Sequence, residues 1–117
     1  MKTITYKKAS SLVKKVKDGL IKNILCIVVV DKECPVCFDM TDDILPRVEE
    51  KFNSDIDFVE LNLDSEDLIF PPVKVPVCFF YVRSLKKFPV IRTGPAPLEA
   101  VIQDVGEMIN FNKENNG

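Results

Sequence analysis

The 117-residue sequence contains no histidine and no tryptophan. The absence of histidine excludes Cys–His nucleophile pairs, Ser–His–Asp triads and mixed Cys/His zinc sites, because each of these needs an imidazole. Neither sign of charge dominates, since 16 basic and 18 acidic residues leave a net charge of −2. A surface for nucleic acid or for an anionic membrane is therefore not expected.

Long apolar runs are also missing. The longest, ILCIVVV (24–30), is about a third of what a membrane-spanning helix needs, and residues 1–19 hold no apolar run of signal-peptide length. We therefore expect a cytoplasmic protein, in which four cysteines are more often free, catalytic or metal-bound than paired in structural disulfides. The length and the apolar fraction of 46% fit one globular domain. We place this domain at 1–111 and a polar tail at 112–117.

The residue pattern predicts an α/β domain. Apolar residues at helical spacing predict helices over 12–21, 38–52 and 98–109. Runs of apolar and β-branched residues predict strands over 24–31, 55–64, 76–82 and 88–93, with a weaker signal at 3–6. Ser10 or Ser11 should cap the first helix and Gly19 should end it. Pro46 should kink the second helix near its middle.

The order of these elements predicts the sheet. The strand that ends at Asp31 is apolar throughout, so it should be central and buried on both faces. A long helix separates it from the next strand, which predicts parallel pairing, whereas a short turn joins the last two strands and predicts antiparallel pairing. Pro89 cannot donate to a ladder, so the last strand should lie at an edge.

The sequence CPVC follows the central strand and opens the second helix. The free N–H groups and the dipole of a helix N-terminus favour a thiolate at Cys34, and Cys37 lies one turn further along. Pro35 suits a first helical turn because the N–H that it lacks is not needed there. A zinc or iron–sulfur site needs about four thiolates, whereas one chain offers only this pair in reach, so such a site would require a bridged dimer.

Together, the CPVC, the proline in VKVP and a late glycine before the last helix resemble the thioredoxin family over about residues 3–111. The resemblance implies a thioredoxin-like α/β fold with a central mixed sheet of four or five strands flanked by helices. It also implies that the Cys34–Cys37 dithiol is redox-active and that a cis bond joins Val75 to Pro76. Pro35 and Val36 would shape the site.

The implied function is a protein thiol–disulfide oxidoreductase that needs no cofactor or metal. Its partners would be protein disulfides and a thiol or reductase electron donor, and it would act as a monomer. The substrate chain would pair with the residue before the cis-proline in a shallow groove beside Cys34. This groove would be formed by Glu33, Lys74, Val75, Pro76, Thr93 and Gly94.

Departures from the family pattern leave other interpretations open. Glu33 replaces the usual tryptophan, and Val28 replaces the buried carboxylate of the family, while the lysine paired with that carboxylate aligns with Glu60. Glu60 is then either a relocated proton acceptor for Cys37 or a solvated strand residue. Weakened redox chemistry would leave a thioredoxin-like binding or assembly module. Cys26 is predicted to be a core thiol, and Cys78 is either a core thiol or a third redox thiol.

Overall fold

The computed structural model describes residues 2–31, 35–52, 54–62, 76–82, 90–94 and 96–116. Within these ranges the chain forms five strands: β1 (Lys2–Thr3), β2 (Ile24–Val30), β3 (Ile56–Asn62), β4 (Val77–Tyr81) and β5 (Val90–Thr93). The helices are α1 (Tyr6–Lys17), α2 (Pro35–Asp39), α3 (Leu45–Lys51) and α4 (Leu98–Asn116), and a π-helical segment at Met40–Ile44 joins α2 to α3.

The strands form one mixed sheet in the order β1-β3-β2-β4-β5. β2 is central, pairs in parallel with β3 and antiparallel with β4, and is buried at every residue. β4 and β5 pair antiparallel, and β5 lies at the edge. The predicted α/β fold, central strand, pairing directions and edge strand are therefore confirmed. Pro89, on which the edge prediction depended, lies outside the described residues.

Two hydrophobic layers hold the helices against the sheet. Alternate residues of β2, beginning with Ile24, face one layer together with α3, α4 and the segment from Cys37 to Met40. The other residues of β2, beginning with Leu25, face a smaller layer under α1. This period-two alternation follows from the pleat, and it places the helix that follows the CPVC on the same face as α4.

The first helix begins earlier than predicted. Its N-cap is Thr5, whose side-chain oxygen accepts a hydrogen bond from Lys8 N at 3.2 Å, so the predicted caps Ser10 and Ser11 are wrong. Helix formation from Tyr6 lets Ala9 join the buried stripe of α1. The predicted end holds, because Gly19 adopts a φ of 75°, a conformation that glycine takes at little cost.

Pro46 coincides with a break in helical regularity. Its missing N–H leaves the carbonyl of Asp42 without its helical donor, and its ring crowds that carbonyl. The preceding turn widens, and Leu45 N–H donates to Met40 O, five residues back. At the point where a kink was predicted, the structure thus shows a π-helical segment just before the proline.

The last helix continues into the predicted polar tail. α4 extends to Asn116, and two contacts tie its last turns to the domain. Asn112 Nδ2 donates to Lys22 O at 3.1 Å, and Lys113 Nζ lies 3.6 Å from Asp55 Oδ1. Across the ranges that the structure describes, no helix is both long and apolar enough to cross a membrane.

Candidate functional site

The CPVC helix begins where the central strand ends. β2 ends at Val30 and α2 starts at Pro35, so the proline occupies the first helical position, as predicted. Cys37 lies in this first turn and is only 1% exposed. Thr41 Oγ1 donates to Cys37 O at 3.1 Å, which ties this turn to the π-helical segment. The second cysteine of the motif is therefore covered by protein, as a resolving thiol would be.

Pro76 and Gly94 lie together across the start of β4 and the end of β5. Gly94 N–H donates to Pro76 O at 2.7 Å, and the neighbouring residues Val77 and Thr93 pair in the ladder. Gly94 has a φ of 79°, so this turn favours glycine. Pro76 is buried and Thr93 is exposed. The structure thus brings together three of the residues predicted for the substrate groove.

Other predicted site residues lie outside the described part of the chain. These are Glu33, Cys34, Lys74 and Val75, and of Val36 only the backbone is described. The exposure of Cys34, its separation from Cys37 and the geometry of the peptide bond before Pro76 therefore remain predictions.

Glu60 lies on β3 in register with Val28 of the central strand. The alternation of β3 places it on the same sheet face as Ile56 and Phe58, which pack in the layer that contains Cys37. Its side chain is partly exposed, and its Oε2 accepts a hydrogen bond of 3.0 Å from Thr3 Oγ1 on β1. The carboxylate therefore lies on the sheet face that packs against the layer containing Cys37, and Thr3 of the edge strand β1 holds one of its oxygens.

Cys26 and Cys78 form a pair of buried thiols. Cys26 is opposite Phe80 and Cys78 is opposite Val28, so the two cysteines are diagonal neighbours on one face. They are 0% and 4% exposed, respectively. Burial raises the pKa of the Cys26 thiol well above its ordinary value, and its hydrogen bond and electrostatic interaction with Cys78 raise it further. Cys26 is the core thiol that was predicted.

The geometry of this pair does not favour a disulfide. Diagonal neighbours on antiparallel strands have Cα atoms about 7–8 Å apart, whereas disulfides usually need about 4.4–6.8 Å. Cys26 and Cys78 are both free thiols. Among the residues that the structure describes, no group of three or more histidine, cysteine or acidic side chains could hold a metal ion.

Comparison of structures identifies the fold. No protein-family model matches the sequence, and no similar curated protein is found. The structure superposes on that of chloroplastic thioredoxin z with a TM-score of 0.75 and 16% identity, covering 92% of this chain and 93% of that one. The chain has the thioredoxin fold. The thioredoxin-like prediction made from CPVC, Pro76 and Gly94 is confirmed at this level.

A second thioredoxin structure agrees. Deadhead (Thioredoxin-1), a germline-specific thioredoxin of Drosophila melanogaster, has a TM-score of 0.67 and 12% identity, over 92% of this chain and 97% of that one. The coverage shows that the thioredoxin-like fold extends over nearly the whole chain. At such low identity the likeness concerns the fold, so the chemistry has to be argued from the residues of this chain.

Two features of the site region were not predicted from the sequence. One is the contact between Cys26 and Cys78, which depends on strand register. The other is a small cavity beside Gly94, which depends on how α4 packs against β4 and β5. The alternation of both strands could have placed the two cysteines on one face, but only the pairing register makes them neighbours.

Proposed function

We propose that this protein is a thiol–disulfide oxidoreductase that exchanges disulfides with protein substrates through Cys34 and Cys37. The observation that carries the proposal is the position of Cys37, which is buried in the first turn of a helix that begins at the end of the central strand of a thioredoxin fold. Because Cys37 lies one helical turn beyond Cys34, its thiol would be close enough to attack the mixed disulfide that Cys34 forms.

The reaction begins at the first cysteine of the motif. The Cys34 thiolate attacks one sulfur of a substrate disulfide, forms a mixed disulfide and releases the other substrate sulfur as a thiolate. Cys37 then loses its proton and attacks Cys34 Sγ, which releases the second substrate thiol and leaves the Cys34–Cys37 disulfide. Two electrons pass from the dithiol to the substrate, and a thiol or reductase donor restores the dithiol.

The resolving step needs a proton acceptor, because Cys37 is buried and must ionise to attack. Glu60 is our candidate, since it lies on the sheet face that carries Cys37 and Val28 occupies the position of the family carboxylate. The hydrogen bond from Thr3 fixes one oxygen of Glu60 and leaves the other with acceptor capacity. Proton transfer from Cys37 to Glu60 would allow resolution without exposing the thiol to bulk water.

Replacement of this carboxylate tests its role. Glu60→Gln keeps an oxygen that can accept from Thr3 but removes the base, so the mixed disulfide at Cys34 should persist about tenfold longer or more, while the first attack keeps its rate. Asp57→Asn is the matched control, because Asp57 is exposed and alternates to the opposite face of the same strand. Stopped-flow reduction of a fluorogenic disulfide separates the two steps. Equal resolution rates in both variants would mean that Glu60 is only a solvated strand residue.

The substrate backbone is proposed to lie beside Pro76, Thr93 and Gly94. The bond between Gly94 N and Pro76 O fixes the relation between the two sides of this groove. Glu33, Lys74 and Val75 would complete it, with Val75 offering backbone groups to an added strand. We propose that the protein acts in the cytoplasm and as a monomer.

Insulin reduction with dithiothreitol as electron donor tests the function directly. The wild type should accelerate the reaction over dithiothreitol alone, and Cys34→Ser should return the rate to that background. Cys26→Ala is the control for the loss of a thiol outside the site, because Cys26 is fully buried. A wild-type rate equal to the background would reject the oxidoreductase and favour the alternative, a thioredoxin-like binding or assembly module.

A further inference from the structure

A small cavity lies between β4, β5 and the first turns of α4. Its volume is about 150 Å³. Its inner wall is made of four buried residues: Met40, Cys78, Phe80 and Val101. Its outer wall is made of the more exposed residues Thr93, Gly94, Ala96 and Ala100. The cavity thus connects the core beside the central strand with the surface at Gly94.

The size and lining of the cavity define what it can hold. A dry apolar cavity of about 150 Å³ accommodates a benzene ring in another protein. The inner wall here is likewise apolar, apart from the thiol of Cys78. The charged lining residues, Arg92 and Asp104, pair with each other at 2.7 Å, so their opposite charges offset each other beside the cavity. The cavity therefore suits one neutral apolar group of about six carbon atoms.

The position of the cavity connects it with the proposed substrate groove. Thr93 and Gly94 line both, and the bond from Gly94 to Pro76 places the outer wall of the cavity next to the start of β4. A chain lying along this groove would pass the outer wall with side chains that alternate toward and away from the surface.

We propose that the cavity is a specificity subsite, which receives one phenylalanine-sized or leucine-sized side chain of the substrate, close to the cysteine under attack. This inference rests on the proposed function, because it assigns the substrate class of the same site. It predicts selection of disulfides flanked by a large apolar residue over those flanked by alanine or a charged residue. A pocket of this kind typically discriminates by about tenfold or more.

Peptide binding tests the subsite independently of turnover. We use two peptides in which serine replaces the substrate cysteine and the residue beside it is either Phe or Ala. Each peptide is titrated into ¹⁵N-labelled Cys34→Ser protein. The Phe peptide should bind about tenfold more tightly and should shift the amides of Thr93, Gly94 and Ala100. Equal affinities, or shifts centred elsewhere, would overturn the proposal.

A filled cavity provides the second arm. Ala100→Leu places a larger side chain in the outer wall and should abolish the preference for Phe, whereas Gln103→Leu adds the same side chain at an exposed position of α4 and should preserve it. If Ala100→Leu does not fold, Ala96→Leu fills the cavity from the loop before α4. Retention of the preference in the filled variant would contradict the subsite.

Benzene serves as a probe of the cavity alone. If benzene shifts the same amides but the two peptides bind equally, the cavity takes small molecules only and the substrate subsite is rejected. If the proposed oxidoreductase function is wrong but the subsite exists, the protein does not reduce insulin and still binds the Phe peptide more tightly than the Ala peptide. The two failures are therefore distinguishable.

Discussion

The burial of Cys26 predicts how the stability of the fold depends on pH. A thiol of an unfolded chain titrates near pH ~8.5, whereas burial and contact with Cys78 raise the pKa of Cys26 in the folded state well above that. Above pH ~8.5 the folded state then holds a proton that the unfolded state has lost. Stability from this group is complete below pH ~8.5 and is lost as the pH rises toward the folded-state pKa.

The size of this effect follows from linkage. Each pH unit between the unfolded and folded pKa values costs about 1.4 kcal/mol for one thiol, so a rise to pH ~10 costs about 2 kcal/mol. This is a large share of the ~5–15 kcal/mol that stabilises a typical domain. Burial, together with nearby Tyr6, also raises the pKa of Tyr81, but an unfolded tyrosine titrates only near pH ~10, so measurements below that value report mainly on the thiol.

Guanidinium chloride unfolding under reducing conditions provides the assay. The free energy of unfolding is measured from pH 7 to pH 10 for the wild type and for Cys26→Ala. The variant should be less stable at pH 7 because it loses buried packing, but it should lose about 2 kcal/mol less between pH ~8.5 and ~10. Parallel curves for the two proteins would show that Cys26 does not remain protonated in the fold, and would refute the buried thiol pair.

Two further predictions concern the core and the thiols. Leu45 is 0% exposed beside the π-helical segment, so Leu45→Ala should lower the free energy of unfolding by about 2–5 kcal/mol. Leu20 is 73% exposed, so the control Leu20→Ala should change it by less than about 0.5 kcal/mol. Equal losses in guanidinium titrations would contradict the core assignment. In the reduced protein, iodoacetamide should modify Cys34 much faster than the three buried cysteines, and mass spectrometry of timed samples would refute the assigned roles if Cys37 reacted equally fast or Cys78 faster.

The arrangement of the sheet could be predicted because its signals are local in the sequence. The run at 24–30 is apolar at every residue, as expected of a central strand that is buried on both faces. The length of the connection between two strands indicates whether they pair in parallel or antiparallel. The position of the CPVC at the end of that strand and before a helix follows from the same pattern. These features carry the thioredoxin-like prediction, and they required no knowledge of side-chain contacts.

The element ends were less predictable because tertiary and capping contacts compete with local preference. Ser10 and Ser11 are good capping residues, but Thr5 caps α1 instead, and the longer helix buries Ala9. The sequence pattern predicted the last helix only to residue 109, yet α4 runs to Asn116, and contacts to Lys22 and Asp55 accompany its further turns. Neither contact leaves a signal in the sequence near the helix end.

The details of the site depend on register and packing. The alternation of β3 could place Glu60 on the same face as Ile56 and Phe58, but its hydrogen bond with Thr3 requires the two-residue strand β1 at the sheet edge. The contact between Cys26 and Cys78 needs the β2–β4 register, and the cavity beside Gly94 needs the packing of α4. Such features arise from the assembled fold rather than from any one segment.

A trapped substrate adduct tests the central claim most directly. Cys37→Ser removes the resolving thiol, so reaction of this variant with insulin should accumulate a mixed disulfide, and peptide mapping by mass spectrometry should locate it at Cys34. The double variant Cys34→Ser, Cys37→Ser should form none. An adduct on Cys78, or no adduct with the single variant under conditions in which the wild type reduces insulin, would contradict the account.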